Sequence, residues 1–518
     1  MSFASALLVV FLSGFVALSY EIVWFRVYSF VTGGSASGFG VLLGAYLTGI
    51  AFGSLWSRRF CNDAGPGGDP SRLRVPAALV VVSTVAAFAV VPLVAWSVRQ
   101  GSYLWTLPVV ALVAGLMGAV LPLVAHFGIA PDGRAGARLS YLYLANILGS
   151  ALGSLTTGFV LLDRFSLVNA ALVLGFAGML LGLVLVVQAR LQGPLRLAWL
   201  GGVAAMTAGL VLGGPMAYAE IYEKLQFKKD YKAGAPFKHV VESRHGVITV
   251  AQDDAIYGGG MYDGRFNTDL VHDTNMVVRA YAVPGLHPSP KRVLMVGLSS
   301  GSWAQIIGNM PGLEKLTVIE ISPGYLELIA NYPAVASLLT NPKVEVVIDD
   351  GRRWLTAHPE AKFDVVVQNT TWHWRGQITN LLSYEYMTLV KHHLQPGGLF
   401  FYNTTDSIHA LKTGCATFRH GMRVINFLAG SEAPVQLEAK RWREALLAWR
   451  IDGKPVLDPS QSRDAARLDE LLAMATRFGS PSDSVEPCRS IVERSLTDPF
   501  ITDDNMVSEW ARQWWEMP

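Results

Sequence analysis

The stretch KRVLMVGLSSGSWAQII, Lys291 to Ile307, followed by TVIEIS, Thr317 to Ser322, decides the fold of the C-terminal half of the chain. It predicts a buried strand, a glycine turn, a helix and a second strand that closes on an acidic residue. Glycines in such a turn let the backbone approach a nucleoside, and Glu320 is placed to accept hydrogen bonds from ribose hydroxyls. The pattern therefore indicates a site for an adenosine-containing cofactor. The residues of the predicted turn are Gly297, Ser299, Ser300 and Gly301.

Two further strands are predicted to end at the same edge of the sheet. NPKVEVVIDDG, Asn341 to Gly351, closes on Asp350 and Gly351, the place where such folds contact an adenine. FDVVVQN, Phe363 to Asn369, supplies a fourth strand. Because the carboxyl ends of parallel strands meet at one edge, four strand ends converge on one crevice. A parallel sheet without a ligand is the alternative.

The N-terminal half has the composition of a membrane protein. The 518-residue chain has a mean hydropathy of +0.34 and only 16% charged residues, and no lysine occurs before Lys224. We predict a multi-pass α-helical membrane bundle over residues 1–220, in a lipid bilayer and localised to the cell membrane. The seven predicted spans cover about 3–20, 38–57, 76–97, 103–127, 139–162, 167–189 and 197–218.

Small residues recur at four-residue spacing in these spans, which favours close approach of helices in lipid. The examples are Gly40, Gly44 and Thr48, and Gly149 and Gly153. They predict a packed bundle.

Glu21 and Arg26 flank the end of the first predicted span, with Trp24 between them. A charge near a membrane helix is a functional candidate. The interpretation that we favour is an interfacial anchor belt of Tyr20, Trp24 and Arg26.

Arginine is distributed unequally between the two sides of the predicted bundle. Connections after even-numbered spans carry Arg58, Arg59, Arg72, Arg74, Arg134, Arg138, Arg190 and Arg196, against Arg26, Arg99 and Arg164 on the other side. This asymmetry puts the even-numbered connections in the cytoplasm, and with seven spans the C-terminal half then lies outside. An adenosine cofactor is expected inside, so the side of the C-terminal half stays open.

Three isolated cysteines show no metal-binding spacing, and we predict no metal. Cys415 and Cys488 form one disulfide in an oxidising compartment or remain two thiols. The net charge is +2 and no basic stripe with interleaved aromatics occurs, so nucleic acid is not an expected partner.

The C-terminal half divides into three predicted segments. Residues 236–285 read as a small β element with Asp263-Gly264 as a turn, and residues 286–410 alternate strand and helix as an α/β Rossmann-like domain. Residues 411–518 are predicted to form a C-terminal helical extension of that domain.

Together these motifs resemble the spermidine synthase (polyamine aminopropyltransferase) family, and the whole chain resembles its membrane-fused branch. The resemblance implies a spermidine synthase/methyltransferase-type fold and a homodimer. It also implies transfer of an aminopropyl group from decarboxylated S-adenosylmethionine to an amine such as putrescine, with the nucleoside as a co-substrate and no tightly bound cofactor.

The resemblance also implies roles for individual residues. Glu320 resembles the ribose-binding acid, and Asp350 with Gly351 the adenine-side pair. His272 and Asp273 resemble the family's histidine and glutamate near the amine substrate.

Three positions depart from the family pattern. Ser300 stands where the glycine loop of the family has an aspartate, Asn369 replaces the family's proton acceptor, and Trp372 replaces a second aspartate. An amide does not take a proton from an ammonium group, and loss of carboxylates weakens attraction for a diamine. Trp372 with His373 and Trp374 forms an aromatic wall for another acceptor, or packs against other parts of the protein.

Three functions remain open. The first is aminopropyl transfer, in which His272, Asp273 and Asn369 are the candidate catalytic residues. The second is a catalytically inert or repurposed domain that binds a ligand or partner on a membrane bundle. The third is methyl transfer from S-adenosylmethionine itself, to which Ser300 in place of an acid is suited.

Overall fold

The computed structural model describes residues 1–61, 70–476 and 483–510, and in it the chain forms two compact units. The N-terminal unit comprises residues 1–237 and 241–247. The C-terminal unit comprises residues 238–240 and the described residues from 248 onward. The boundary between a bundle of apolar helices and an α/β domain therefore agrees with the predicted change in composition.

Seven helices of the described chain are long and apolar enough to cross a membrane, by length and composition. The structure thus confirms that each of the seven predicted spans is a long apolar helix. Their bounds are Phe3–Val31, Ala36–Phe60, Pro70–Gln100, Tyr103–Gly128, Ala135–Arg164, Leu167–Gln188 and Gly193–Ala217, numbered here as spans 1 to 7.

Span 1 is longer than predicted because the charged residues near its middle do not end it. It continues ten residues beyond Glu21 to Val31, and Gly33 and Gly34 then adopt the left-handed conformation that ends a helix. The side chain of Glu21 is buried.

The predicted anchor belt of span 1 is also buried inside the N-terminal unit. Tyr20 Oη donates to the carbonyl oxygen of Ala171 at 3.2 Å, and Trp24 Nε1 donates to that of Ala87 at 3.1 Å. These side chains join helices instead of facing a membrane surface, because their polar atoms find partners on neighbouring spans.

Close contact between spans depends on specific glycines. A Cβ atom added at Gly149 would lie 2.0 Å from the carbonyl oxygen of Phe11, and one at Gly153 would lie 2.3 Å from that of Phe15. Spans 1 and 5 therefore touch backbone to backbone, as the spacing predicts. Gly44 differs, because no described atom lies within 4 Å of its Cβ position.

Spans 2 and 4 use a second pair of glycines for the same purpose. A Cβ atom at Gly49 would lie 2.0 Å from Ala111 O, and one at Gly53 would lie 1.9 Å from Gly115 O. The contact surface of span 2 thus lies one turn or more beyond Gly40 and Gly44, the residues that the sequence singled out.

The β element predicted over residues 236–285 is an antiparallel meander. Its sheet has the order β1-β2-β3-β4, and the β3–β4 pair contains an irregularity at Ile256 and Tyr257. The strands are β1 (His239–Ser243), β2 (Gly246–Val250), β3 (Ala255–Gly258) and β4 (Met261–Arg265).

The Rossmann-like prediction is confirmed by a parallel sheet. Its core strands are continuous apolar runs that are buried on both faces, as in other parallel sheets covered by helices. The parallel part has the order β9-β8-β5-β6-β7. The strands are β5 (Arg292–Val296), β6 (Lys315–Glu320), β7 (Val344–Ile348), β8 (Phe363–Gln368) and β9 (Leu394–Asn403).

The segment after residue 411 differs from the predicted helical extension because it also completes the sheet. The strands β10 (His420–Val424) and β11 (Phe427–Ser431) form a hairpin with a two-residue turn, and β11 pairs antiparallel with β9. After a separate two-stranded pair, β12 (Arg450–Ile451) and β13 (Lys454–Pro455), the strand β14 (Val485–Pro487) joins β10. The prediction of a helical extension missed β10, β11 and β14, because each of these strands is only three to five residues long.

Helices of the C-terminal unit cover the sheet or follow its strands. They are Val278–Tyr281, Val283–Leu286, Ser302–Gly308, Gly324–Ile329, Pro333–Ala336, Gly351–Ala357, Tyr384–His392, Ile408–Thr417, Ala439–Ala448, Ser462–Thr476 and Cys488–Arg494.

Of the two states left open for the cysteines of this unit, the structure contains the disulfide. Cys415 and Cys488 are bonded with their Cα atoms 5.4 Å apart, and they join the helices Ile408–Thr417 and Cys488–Arg494. The bond closes a loop of 73 residues, which restricts the unfolded chain strongly.

The glycine contacts give a prediction for the bundle. We expect Gly153→Ala to lower the stability of the bundle by about 1–3 kcal/mol, since the new methyl group forces spans 1 and 5 apart. Gly44→Ala, the matched control, adds a methyl group where no described atom is within 4 Å. The measurement is the midpoint of thermal unfolding of the purified chain in detergent. Equal midpoints for the two variants would contradict the packing argument.

Candidate active site

The loop after β5 is shaped by its glycines and by its neighbour strand. Gly297 has a φ of 91° and Gly301 one of 74°, both in the left-handed region that favours glycine. Gly297 N donates to Ile319 O at 2.9 Å, and a Cβ atom at Gly297 would lie 2.8 Å from the carbonyl oxygen of Asn369. The loop can therefore lie directly against the end of β8.

The carboxylate of Glu320 accepts a hydrogen bond from the backbone of this loop. Its Oε2 accepts from Leu298 N at 2.8 Å and its Oε1 from Ser322 N at 2.7 Å. Burial raises the pKa of Glu320 to about 7, although these backbone hydrogen bonds oppose the shift. The predicted ribose acid is thus next to the loop, but in this structure its carboxylate is occupied by backbone N–H groups.

Asp350 and Gly351, the predicted adenine-side pair, begin a helix. The Oδ1 atom of Asp350 accepts from Arg353 N at 2.8 Å, the bond of an N-cap residue. A Cβ atom at Gly351 would lie 2.7 Å from Val296, so the glycine allows close packing on β5. Asp350 lines a surface cavity that also includes Arg352, separate from the cavity described below.

The sequence predicts a turn at Asp263-Gly264, but both residues lie within β4, because Gly259 and Gly260 make the turn between β3 and β4. This part of β4 is bonded to the loop after β5. Ser299 Oγ donates to Asp263 O, and a Cβ atom at Gly264 would lie 3.4 Å from the hydroxyl oxygens of both Ser299 and Ser300. Gly264 has a φ of 127°, a conformation that favours glycine. β4 and the loop therefore form one wall.

The carboxylate of Asp263 is already engaged. Tyr325 Oη donates to its Oδ2 atom, and the Arg375 guanidinium acts on it electrostatically. Burial raises the pKa of Asp263, whereas the Tyr325 hydrogen bond and the Arg375 charge lower it.

A cavity of about 270 Å³ lies between β4, the loop after β5 and the ends of β8 and β9. Its lining is mostly polar and uncharged. The lining residues are Tyr262, Asp263, Gly264, Asn275, Met276, Arg279, Leu298, Ser299, Ser300, Trp303, Asn369, Thr370, Thr371, Trp372, Asn403, Thr405, Asp406 and Asn426.

A chain of amides crosses the floor of this cavity. Asn403 Nδ2 donates to Asn369 Oδ1 at 3.2 Å, while Asn403 Oδ1 accepts from Thr405 N at 2.9 Å and from Asn426 Nδ2 at 3.3 Å. Asn369 thus lies in the cavity as predicted, but it is a neutral group whose oxygen has a donor. It does not serve as a proton acceptor.

Arg279 brings a buried positive charge to the cavity. It is 8% exposed, and its guanidinium lies 5.2 Å from the Trp303 ring centroid and 4.8 Å from that of Phe427. Burial lowers the pKa of Arg279 to about 10, so the side chain remains protonated at neutral pH.

Asp406 is the carboxylate of the cavity that is least engaged. It is exposed, has a φ of 63°, and makes no hydrogen bond through its carboxylate to another described residue. An aspartate tolerates this left-handed conformation better than most residues do. Asp406 is therefore available to a ligand.

His272 and Asp273 do not line this cavity. His272 Nδ1 lies 2.9 Å from Asp269 Oδ2, its side chain is 56% exposed, and it lines another cavity with Pro333. Asp273 accepts from Val277 N at 2.8 Å and Val278 N at 3.0 Å, and so supports the start of a helix.

The residues Trp372, His373 and Trp374 after β8 are predicted either to line the site or to pack against the protein, and the structure contains both arrangements. Trp372 lines the cavity, whereas Trp374 is 7% exposed and is not among its lining residues. His373 N donates to Thr405 Oγ1 at 3.0 Å, and burial lowers the pKa of the His373 imidazole.

Three cavity residues escaped the sequence analysis. Asn403 ends β9 and Asp406 follows it, and the rule that parallel strands end at one edge would have included both had β9 been placed beside β8. Arg279 is the single charged residue in the otherwise apolar run from Met276 to Val283. An arginine in such a run is expected to be buried with a partner or a ligand.

The chain is similar to known proteins over much of its length. The family model of the spermine/spermidine synthase domain matches residues 278–425. "Polyamine aminopropyltransferase 2" of Streptomyces coelicolor is 26% identical over 511 residues, which cover 90% of this chain and 89% of that relative. The polyamine aminopropyltransferase of Mycobacterium tuberculosis is 26% identical over 402 residues, covering 74% and 73%.

Two further matches cover a smaller share of the chain. The polyamine aminopropyltransferase of Desulforudis audaxviator is 34% identical over 144 residues, 27% of this chain and 52% of that protein. A spermidine synthase in complex with the transition state analogue AdoDATO aligns with a TM-score of 0.31 and 18% identity over 44% of this chain and 78% of that chain.

The buried state of Glu320 gives a pH prediction. The folded pKa of about 7 lies above the ordinary 4.5, so the unfolded chain loses its proton first as the pH rises. Glu320 therefore stabilises the fold fully below pH 4.5, and about 3 kcal/mol of that stability is lost between pH 4.5 and 7. We expect Glu320→Gln to remove this loss and the exposed control Glu327→Gln to keep it. The measurement is denaturant unfolding of the purified chain at each pH, and an unchanged slope in Glu320→Gln would contradict the assignment.

Proposed function

Because residues 278–425 form a domain of the spermine/spermidine synthase family, we propose that this chain transfers an aminopropyl group from decarboxylated S-adenosylmethionine to an amine. The proposal includes a multi-pass location in a cell membrane, with spans 1 to 7 in the bilayer. The observation that supports it best is the convergence of the loop after β5, Asp263 and Gly264 of β4, and Asn369 on one cavity.

The nucleoside donor is assigned to the loop and its neighbouring strand ends. Gly297, Ser299, Ser300 and Gly301 supply the backbone, and Glu320 the carboxylate for the ribose hydroxyls. Asp350 and Gly351 remain assigned to the adenine side. In this proposal Glu320 exchanges a backbone partner for a ribose hydroxyl when the donor binds.

The transfer needs alignment and one proton acceptor. The amine lone pair attacks the carbon next to the sulfonium, a C–N bond forms, the C–S bond breaks with its electrons left on sulfur, and methylthioadenosine leaves. The nitrogen must lose a proton. Asn369 does not accept it, so we assign this role to Asp406, which lines the same cavity and is free of hydrogen bonds to the described chain.

His272 and Asp273 receive positioning roles in this proposal. Asp273 caps the segment in which Arg279 lies, through its bonds to the backbone of Val277 and Val278. His272 is bonded to Asp269, which accepts two backbone N–H groups of the same loop, from Val271 and His272. Both side chains therefore shape the approach to the cavity.

The proposal predicts a specific product. We expect the purified chain to release methylthioadenosine from decarboxylated S-adenosylmethionine in the presence of an amine, and Asp406→Asn to slow release at least a hundredfold, the scale of general-base catalysis. Asp452→Asn is the matched control, because Asp452 is also exposed, has a φ of 50° and lies outside the cavity. The measurement is chromatographic quantification of methylthioadenosine. Absence of product with every amine tested would contradict the proposed transfer. Equal rates in the two variants would contradict the role of Asp406.

A second candidate function is a binding domain without transfer, located outside the cytoplasm. Two observations favour that location: the arginine asymmetry across the spans and the Cys415–Cys488 disulfide, a bond typical of oxidising compartments. A domain outside the cytoplasm has no expected supply of the nucleoside donor.

The location gives its own prediction. The second candidate predicts that a C-terminal alkaline phosphatase fusion is active and a C-terminal green fluorescent protein fusion is dark in intact bacterial cells. Fusions after Arg134, in the connection that follows span 4, are its control and should be fluorescent with green fluorescent protein and inactive with alkaline phosphatase. Fluorescence from the C-terminal fusion would place the domain in the cytoplasm, exclude the second candidate in this form and favour transfer.

A further inference from the structure

We propose that the cavity recognises a carboxylate through Arg279, so that one of the two substrates is an amino acid and not its decarboxylated amine. The inference rests on the proposed function, because it names the class of molecule that enters that site. The recognised unit is a zwitterion, with its carboxylate at Arg279 and its ammonium group at Asp406.

The guanidinium of Arg279 forms no direct ion pair within the described chain. Its Nε donates to Met276 O at 2.9 Å, its Nη1 to Asn426 Oδ1 at 2.7 Å and its Nη2 to Asn275 O at 3.4 Å. All three acceptors are neutral. The carboxylates of Asp273 and Asp406 act on it electrostatically, but no described Asp or Glu pairs with it within 4.0 Å. The buried charge is therefore balanced only from a distance, and an anion that bonds to it directly would stabilise it.

The position of this charge is fixed by its surroundings. The guanidinium lies between the rings of Trp303 and Phe427, and two of its three bonds are to backbone carbonyl groups. A guanidinium carries five N–H donors, so two remain after these bonds. A planar fork that is held in place and still has donors suits a carboxylate.

The other charges of the cavity match a zwitterion better than a dication. Asp263 is engaged by Tyr325 and faces Arg375, which leaves Asp406 as the available acid. A diamine carries two positive charges and meets one available acid and one arginine. The α-amino acid group of such a molecule meets one group of opposite sign for each of its two charges.

The carboxylate has two chemical sources. One is the donor, if the nucleoside retains the carboxylate of S-adenosylmethionine, and the other is an amino acid acceptor. Each source has a partner that lacks only the carboxylate: decarboxylated S-adenosylmethionine for the donor, and putrescine for the amino acid ornithine. These two matched pairs isolate the contribution of the carboxylate.

The experiment measures binding of all four molecules to the full-length chain in detergent by titration calorimetry. Ornithine and putrescine are each tested with and without methylthioadenosine. We expect the carboxylated member of one pair to bind at least tenfold more tightly than its partner. In Arg279→Met that preference should disappear, and in Arg279→Lys, which retains the charge without the fork, it should be reduced.

Arg441→Met is the matched control. Arg441 also donates to two backbone carbonyl groups, those of Pro284 and Gly285, but it does not line the cavity. The preference should therefore remain in this variant. If Arg279→Met does not fold, the comparison of the two pairs on the unaltered chain still decides the matter.

Each outcome has a distinct meaning. A preference for ornithine identifies the acceptor as the source and leaves aminopropyl transfer intact. A preference for S-adenosylmethionine identifies the donor as the source, and the transferred group is then not aminopropyl. Equal or tighter binding of the decarboxylated member in both pairs overturns the inference while leaving aminopropyl transfer intact. Failure of both nucleosides to bind overturns the proposed function, and the amine pair then tests the inference alone. Failure of all four molecules overturns both.

Discussion

The register of three parallel strands is the constraint on which the cavity depends. Val296 of β5 pairs with Gln368 of β8, and Gln368 pairs with Tyr402 of β9. The residues that follow, Gly297, Asn369 and Asn403, must therefore leave the sheet side by side. The close approach of Gly297 to Asn369 O and the bond from Asn403 to Asn369 follow from this register. A shift of one residue in any of the three strands would turn these side chains to the opposite face of the sheet.

This constraint explains which parts of the structure the sequence predicts. Apolar runs closed by a glycine, an acid or an amide identify β5 to β8, because the core of a parallel sheet is apolar and its strand ends are polar. The positions of Ser299, Ser300 and Asn369 at one cavity follow from that pattern, and Gly297 begins the loop that lies against Asn369. The strands β10, β11 and β14 do not follow, because three to five residues at a sheet edge carry too little periodicity to distinguish them from the loops around them.

The side chains around the cavity are harder to predict than its backbone. His272 and Asp273 are neighbours in sequence, yet neither reaches the cavity, since one is bonded to Asp269 and the other to the backbone ahead of it. Arg279 does reach the cavity. Asp273 supports the start of the short helix that contains Arg279, and the Arg279 side chain lies between Trp303 and Phe427. Which of three nearby polar residues faces a ligand is decided by contacts far away in sequence, and no local pattern contains that information.

Electrostatics then determines what this fold can bind. Two charges 6 Å apart interact by about 3 kcal/mol at an effective dielectric constant of 20, which is roughly a hundredfold in affinity. Asn369 and Ser300 are neutral, and Arg279 contributes a positive charge that lies between the rings of Trp303 and Phe427. A change of one charge in such a cavity is therefore large enough to alter which class of ligand it prefers. The register of the parallel strands determines which residues meet at their carboxyl ends. The side chains of those residues then determine which molecule binds in the cavity.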